Sequence, residues 1–204
     1  MQTLESSWRS AWQVLDAQPP HGLLERLLQP YTEPARKSHT LQHLRECVQQ
    51  LAAELHTAAH PGEVAVALWF HDAVYDVKGQ HNEPHSAQWA QRELAGAGVS
   101  PDVAARVFAL VMATAHSALP ATPDQRLLVD VDLSILGAPP ARFAEYEAQI
   151  RDEYAWVPGW VFRRKRRAIL ADFLHRPQIY STEAFRQRCE AQARHNIQLA
   201  LGGV

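Results

Sequence analysis

Apolar residues recur at three- and four-residue steps along most of the chain, the spacing of helices packed on one face. Trp8, Trp12 and Leu15 form a first short face before the break at Pro19-Pro20. A second short helix over 23–29 ends at Pro30. The clearest pattern, Leu41, Leu44, Val48, Leu51 and Leu55, predicts a long helix running from Ser38 to the break at Pro61-Gly62. Residues 63–73 are nearly all apolar, and a helix apolar on every side belongs at the centre of a core. The polar stretch 75–83, with Gly79 and Asn82, reads as a loop, and Pro84 as the first residue of the next helix. Ser100-Pro101-Asp102 and Thr122-Pro123-Asp124 share one start signal: a capping hydroxyl, a proline at the first helical position, then an acid. Residues 129–133 alternate like a strand, but Leu128, Asp132 and Leu136 fit a helix and no second strand exists to pair with them. Further helices are predicted over 140–154, 161–174 and 182–201. The expected fold class is all-α, a single helical-bundle domain over residues 1–204 with eight to ten helices.

The composition agrees with a globular chain. Its 204 residues are 47% apolar and 21% charged, enough to bury a sizeable core. A net charge of −2 gives no general attraction to nucleic acid or anionic membrane, so neither is expected as a partner. Cys47 and Cys189 are too few for a disulfide framework. No apolar run is long enough to span a bilayer, and the first eight residues lack the basic flank and apolar stretch of a signal peptide. The resulting expectation is a cytoplasmic protein. The basic run Arg163 to Arg167 reads as a solvated helix face, with Asp152, Glu153 and Tyr154 as candidate partners.

Histidine is the unusual component, with eleven residues, several of them beside carboxylates. His39 and His43 are four apart on the predicted long helix, which would place them on one face. His71-Asp72 closes the apolar central helix, Asp130 and Asp132 sit in an apolar stretch, and His116 follows another apolar helix. Imidazoles and carboxylates in such surroundings are costly unless paired, hydrogen-bonded or bound to metal. Together they suit a divalent ion such as Zn, Mn, Fe, Co or Ni, gathered from several helices of a bundle.

In the order His43, His71-Asp72 and Asp132, the chain resembles the HD-domain superfamily, and within it a bacterial group of metal-dependent phosphohydrolases. The matching stretches are 31–36 (YTEPAR), 39–43 (HTLQH), 69–76 (WFHDAVYD), Asn82-Glu83 with Ser86-Ala87, 130–137 (DVDLSILG), 150–154 (IRDEY) and 193–196 (ARHN). They cover nearly the whole chain. Ser38 departs from the pattern, standing where an aromatic residue is expected before the first histidine. The segments around His39, His43, His71-Asp72 and Asp132 are also similar to those of the mammalian-type cyclic-nucleotide phosphodiesterases.

The resemblance implies an HD-type bundle in which His43, His71, Asp72 and Asp132 bind the metal and His39 donates a proton to the leaving oxygen. Asp130 would orient a ligand from outside, while Arg36, Glu83 and His116 would contact substrate. It implies one or two divalent ions (Mn, Co, Ni, Zn, Fe or Mg) and hydrolysis, by metal-activated water, of a phosphoester in a nucleotide or other small phosphorylated metabolite. A homodimer is the commonest assembly for such a chain. Two other readings stay open: a di-iron oxygenase on the same ligand set, favoured by extra histidines such as His81, His85 and His116, and a non-catalytic module that holds metal structurally.

Overall fold

The computed structural model describes residues 4–202, so the first three residues of the segment read above as lacking a signal peptide lie outside the described residues. Every regular element among the described residues is helical, as the spacing predicts. The elements are α1 (Leu4–Val14), α2 (Leu23–Leu28), α3 (Leu41–Glu54), α4 (Pro61–Phe70), α5 (Asn82–Gly96), α6 (Pro101–Ala113) and α7 (Pro123–Asp132). They are followed by α8 (Pro140–Glu153), α9 (Gly159–His175), α10 (Glu183–Phe185) and α11 (Ala191–Gly202). Among the described residues no helix is long and apolar enough to cross a membrane. The chain divides into two compact units, one up to Val131 and one from Asp132 onward.

In the first unit α4 is the centre. All its residues from Gly62 to Phe70 are buried, and α1, α3, α5 and α6 each pack on it. Its one buried acid, Glu63, is held by Arg106 of α6 through two hydrogen bonds of 2.6 and 2.8 Å. Trp8 meets Trp12 and Trp69 edge to face at 5.5 and 5.2 Å, which locks α1 onto α4. Gly62 permits this approach, because a Cβ there would lie 2.6 Å from the Leu15 backbone nitrogen.

Helix α9 starts at Gly159, two residues before the predicted 161, and three other helix starts differ from expectation, each for a local reason. The long helix begins at Leu41, because the Thr40 side chain accepts from the Gln42 N–H at 3.3 Å and acts as the cap. His39 therefore lies outside the helix, and the shared-face placement with His43 does not hold. Helix α4 starts at Pro61 itself, as a proline at the first helical position allows. Helix α5 starts at Asn82, two residues before Pro84; the missing proline N–H is still one of the first-turn donors that no helix pairs internally.

The second unit joins α8, α9, α10 and α11 to a 3-10 turn, Leu133–Gly137. Asn196 of α11 donates to the Leu136 and Ala138 carbonyls at 2.8 Å each, tying the turn down. A π-helical turn, Arg186–Glu190, separates α10 from α11, and Gly137 packs against it where a Cβ would lie 2.8 Å from the Cys189 carbonyl. In the basic run Arg166 pairs with Glu147, while Arg163, Arg164, Lys165 and Arg167 are exposed.

Candidate metal centre

Helix α4 delivers His71 and Asp72 in the turn just past its C-terminus, where the last carbonyls of a helix need outside donors. Side chains supply them. Tyr31 donates to the Trp69 carbonyl at 3.2 Å, and His71 Nδ1 to the Leu68 carbonyl at 2.6 Å. The buried Arg36 guanidinium donates to the Asp72 and Ala73 carbonyls at 2.6 and 3.1 Å, lying over the rings of Tyr31 and Tyr75. Arg36 thus acts on the fold of this turn, through the backbone. From the other side Ser86 Oγ accepts from Val74 N–H at 2.9 Å, and Asn82 bonds both the N–H and the carbonyl of Asp76. Much of the 31–36 and 82–87 sequence therefore serves to fix the geometry of His71-Asp72.

A carbonyl only accepts, so the Leu68 contact places a proton on His71 Nδ1 and leaves Nε2 as the inward-facing nitrogen. Nε2 lies 3.3 Å from His43 Nε2 and 3.1 Å from Asp72 Oδ2, and His43 Nε2 lies 3.5 Å from the same oxygen. Atoms bound about 2.1 Å from one ion at cis angles stand about 3.0–3.4 Å apart, close to this triangle. Asp72 Oδ2 is shut off from solvent and accepts no aligned hydrogen bond. Burial raises the Asp72 carboxyl pKa, but the positive charge that His71, His39 and His43, in that order, carry when protonated outweighs it and holds the group well below the usual carboxylate range; with the imidazoles neutral, a bound cation would act in the same sense. Three electron-pair donors thus converge where a single cation would satisfy them all.

Asp132, which ends α7, adds a further carboxylate. His43, Cys47, His71 and Asp132 each present one ligand atom within 4.8 Å of the others; the first three residues are buried and Asp132 is half-buried. The group can hold a metal ion. Asp130 is fully buried on the same helix. Residues two apart on a helix point about 200° away from each other, so one turn cannot aim both carboxylates at one point. Cys47 escaped the sequence reading, although its position four residues after His43 on α3 is the signal that would have found it.

His39 is half-buried and sits beside the centre, its ring 6.3 Å from that of His43. It stacks on Tyr75 at 3.9 Å, and Ser38 Oγ lies 3.0 Å from its Nδ1. Ser38 thus holds the ring from the Nδ1 side. Glu83 lies in the first turn of α5 and His116, at φ 52°, in the loop after α6; neither is among the grouped ligand residues.

Comparison with protein-family models, with curated proteins and with solved structures gives no match.

Proposed function

We propose that this centre belongs to a metal-dependent phosphohydrolase of the HD type, acting on a nucleotide or another small phosphorylated metabolite. The observation that carries the reading is the convergence of His43 Nε2, His71 Nε2 and the unbonded Asp72 Oδ2 within 3.5 Å, beside a histidine held from two sides. His43, His71, Asp72 and Asp132 are the residues that hold the ion. When bound, a divalent ion acts as a Lewis acid toward the phosphoryl group and brings the pKa of water from 15.7 to about 7.

The chain's own residues do the rest. His71 is kept in one tautomer by the Leu68 carbonyl, so its ring presents Nε2 without a search among orientations. Arg36 and Tyr31 keep the turn that carries His71-Asp72 from fraying. His39 is the general acid: as water oxygen bonds to phosphorus and the ester P–O bond breaks, the departing oxygen takes a proton from the imidazolium. Ser38 at Nδ1 assigns that donation to Nε2. Phosphoryl transfer requires little from a protein beyond positioning and charge stabilisation, and these residues provide both.

The test combines metal analysis of the purified chain with turnover of a phosphoester panel, from p-nitrophenyl phosphate to mono- and cyclic nucleotides. A near-stoichiometric ion is expected, lost when His43, His71, Asp72 and Asp132 are all changed to alanine. His39→Ala is expected to keep the ion and lose about 10²–10⁴ in kcat. An unchanged kcat removes His39 from the mechanism. Retained iron with dioxygen consumption replaces the hydrolase with an oxygenase, and no ion even in excess manganese leaves a helical binding module.

A further inference from the structure

We propose that the exposed stripe Trp160, Arg163, Arg164 and Arg167 of α9 binds single-stranded nucleic acid, with the indole stacked on a base and the guanidinium groups on the flanking phosphates. The proposal goes beyond the reading above and does not rest on it. In α9 the apolar residues Leu170 and Phe173 are buried. Trp160 is the opposite: it is 66% exposed, and Trp156 in the preceding turn is 55% exposed. Positions 160, 163, 164 and 167 fall within about 100° of the helix circumference, so the indole lies among the three arginines. Arg142, Arg166, Arg176, Arg186 and Arg194 of the same unit each pair with a carboxylate. Among the described residues no carboxylate pairs with Arg163, Arg164 or Arg167. Arg167 places one nitrogen on the Leu201 carbonyl at 2.6 Å, which leaves its charge unneutralised.

The chain's net charge of −2 gives no general attraction to polyanions, so the affinity must be local. Neighbouring cations without an acidic partner repel one another and draw an anion from solution. An indole set among them adds what a charged side chain lacks, a flat face on which any base stacks. In a duplex that face of the base is covered by its neighbours, which selects single strands. A membrane fits the stripe less well, because helices that lie on lipid keep apolar residues on one face and cations on the other. A second copy of the chain fits it less still, since a two-fold axis would set arginine against arginine.

The experiment titrates the chain with short oligo(dT), read by anisotropy of the labelled oligonucleotide and by tryptophan fluorescence. A chelator is present throughout, so that no metal-dependent turnover intervenes. A Kd of about 10⁻⁴–10⁻⁶ M at physiological salt is expected, with quenching of the emission. Each phosphate contact contributes about −0.7 to the slope of log K against log salt, so three arginines give about −2. Trp160→Ala should weaken binding at least about 5-fold and remove the quenching without changing that slope. Changing Arg163 and Arg164 together to alanine should bring the slope to about −0.7. Lys165 points about 140° away from Trp160, so Lys165→Ala should leave the affinity nearly unchanged. All four substituted side chains are exposed, and the variants should unfold as wild type does. An absence of saturable binding overturns the proposal, as does a loss from Lys165→Ala equal to that from the arginines. Equal binding and quenching by poly-glutamate would leave charge alone and overturn it too. Tighter binding to phosphatidylserine vesicles than to oligo(dT) would assign the stripe to a membrane instead. A wild-type dimer in light scattering that Trp160→Ala dissociates would assign it to self-association. The hydrolase reading stands or falls separately, on the metal and turnover assays.

Discussion

Helix α4 has a histidine–aspartate pair at each end, built in opposite ways. At its N-terminus, Asp124 from the first turn of α7 uses both oxygens. Oδ1 accepts from Ala59 N–H at 2.7 Å, and Oδ2 accepts from His60 N–H and faces His60 Nδ1, each at 3.0 Å. At its C-terminus, Asp72 Oδ2 faces two imidazole nitrogens and accepts no aligned hydrogen bond, while its own backbone carbonyl is bound by Arg36. Residue types are the same at the two ends, and the closest approaches are nearly equal, 3.0 Å for His60 and Asp124 and 3.1 Å for His71 and Asp72. What separates them is hydrogen-bond accounting. A carboxylate whose acceptors are filled by donors is a structural tie; a carboxylate ringed by imidazole nitrogens is matched either by their protonation or by a cation.

The sharpest way to break the comparison is to remove a histidine. His71→Ala deletes an electron-pair donor and should lower ion affinity by more than about 100-fold, beyond the range for a lost outer partner. In wild type, an ion at 100 times its Kd adds about 2.7 kcal/mol to folding stability. Urea unfolding with and without the ion should show that gain in wild type and almost none in the variant. An undiminished gain in His71→Ala would mean that the ion sits elsewhere.

The opposite end should respond in the opposite sense. Asp124→Ala strips acceptors from two backbone N–H groups at the start of α4, and should destabilise the apoprotein by about 2–3 kcal/mol. Its ion stoichiometry and ion-dependent gain should stay at wild-type values. If metal were lost and apoprotein stability kept, the assignment of the two ends would be reversed.

That asymmetry is only partly legible in the sequence. The apolar run 63–70 marks a central helix, and Ser100 caps α6 as its motif predicts, accepting from Val103 N–H at 3.4 Å. The pairing of His71 with Asp72 is visible because the two are adjacent. Nothing local shows that Asp124 serves α4 from 64 residues away, or that the terminal nitrogens of Arg36 donate to the carbonyls of Asp72 and Ala73. Arg36 reads as a substrate contact in the sequence, and the structure adds a role there that the sequence does not show, since its two terminal nitrogens donate to backbone. His39 was misplaced for a smaller reason. The helical period of α3 extends back through 38–40, but Thr40 competes for the backbone as a cap and ends the helix one residue after His39.

The weakest prediction concerns Tyr31, the outermost of the side chains that close the C-terminal end. Its hydroxyl donates to the Trp69 carbonyl at 3.2 Å, and the ring is fully buried. Tyr31→Phe should cost about 1 kcal/mol at neutral pH and leave ion binding unchanged. Burial first, then the negative charge of Asp72, raises the Tyr31 pKa well above its ordinary value of 10.0. The unfolded chain ionises this phenol at about 10, so its contribution is complete below that pH and is lost as the pH rises beyond it. Unfolding free energies measured from about pH 8 to 11 should therefore fall more steeply for wild type than for Tyr31→Phe, so that the two curves converge. Parallel curves would mean that the phenol can ionise in place, and that the end of α4 is open to water even where Asp72 Oδ2 is not.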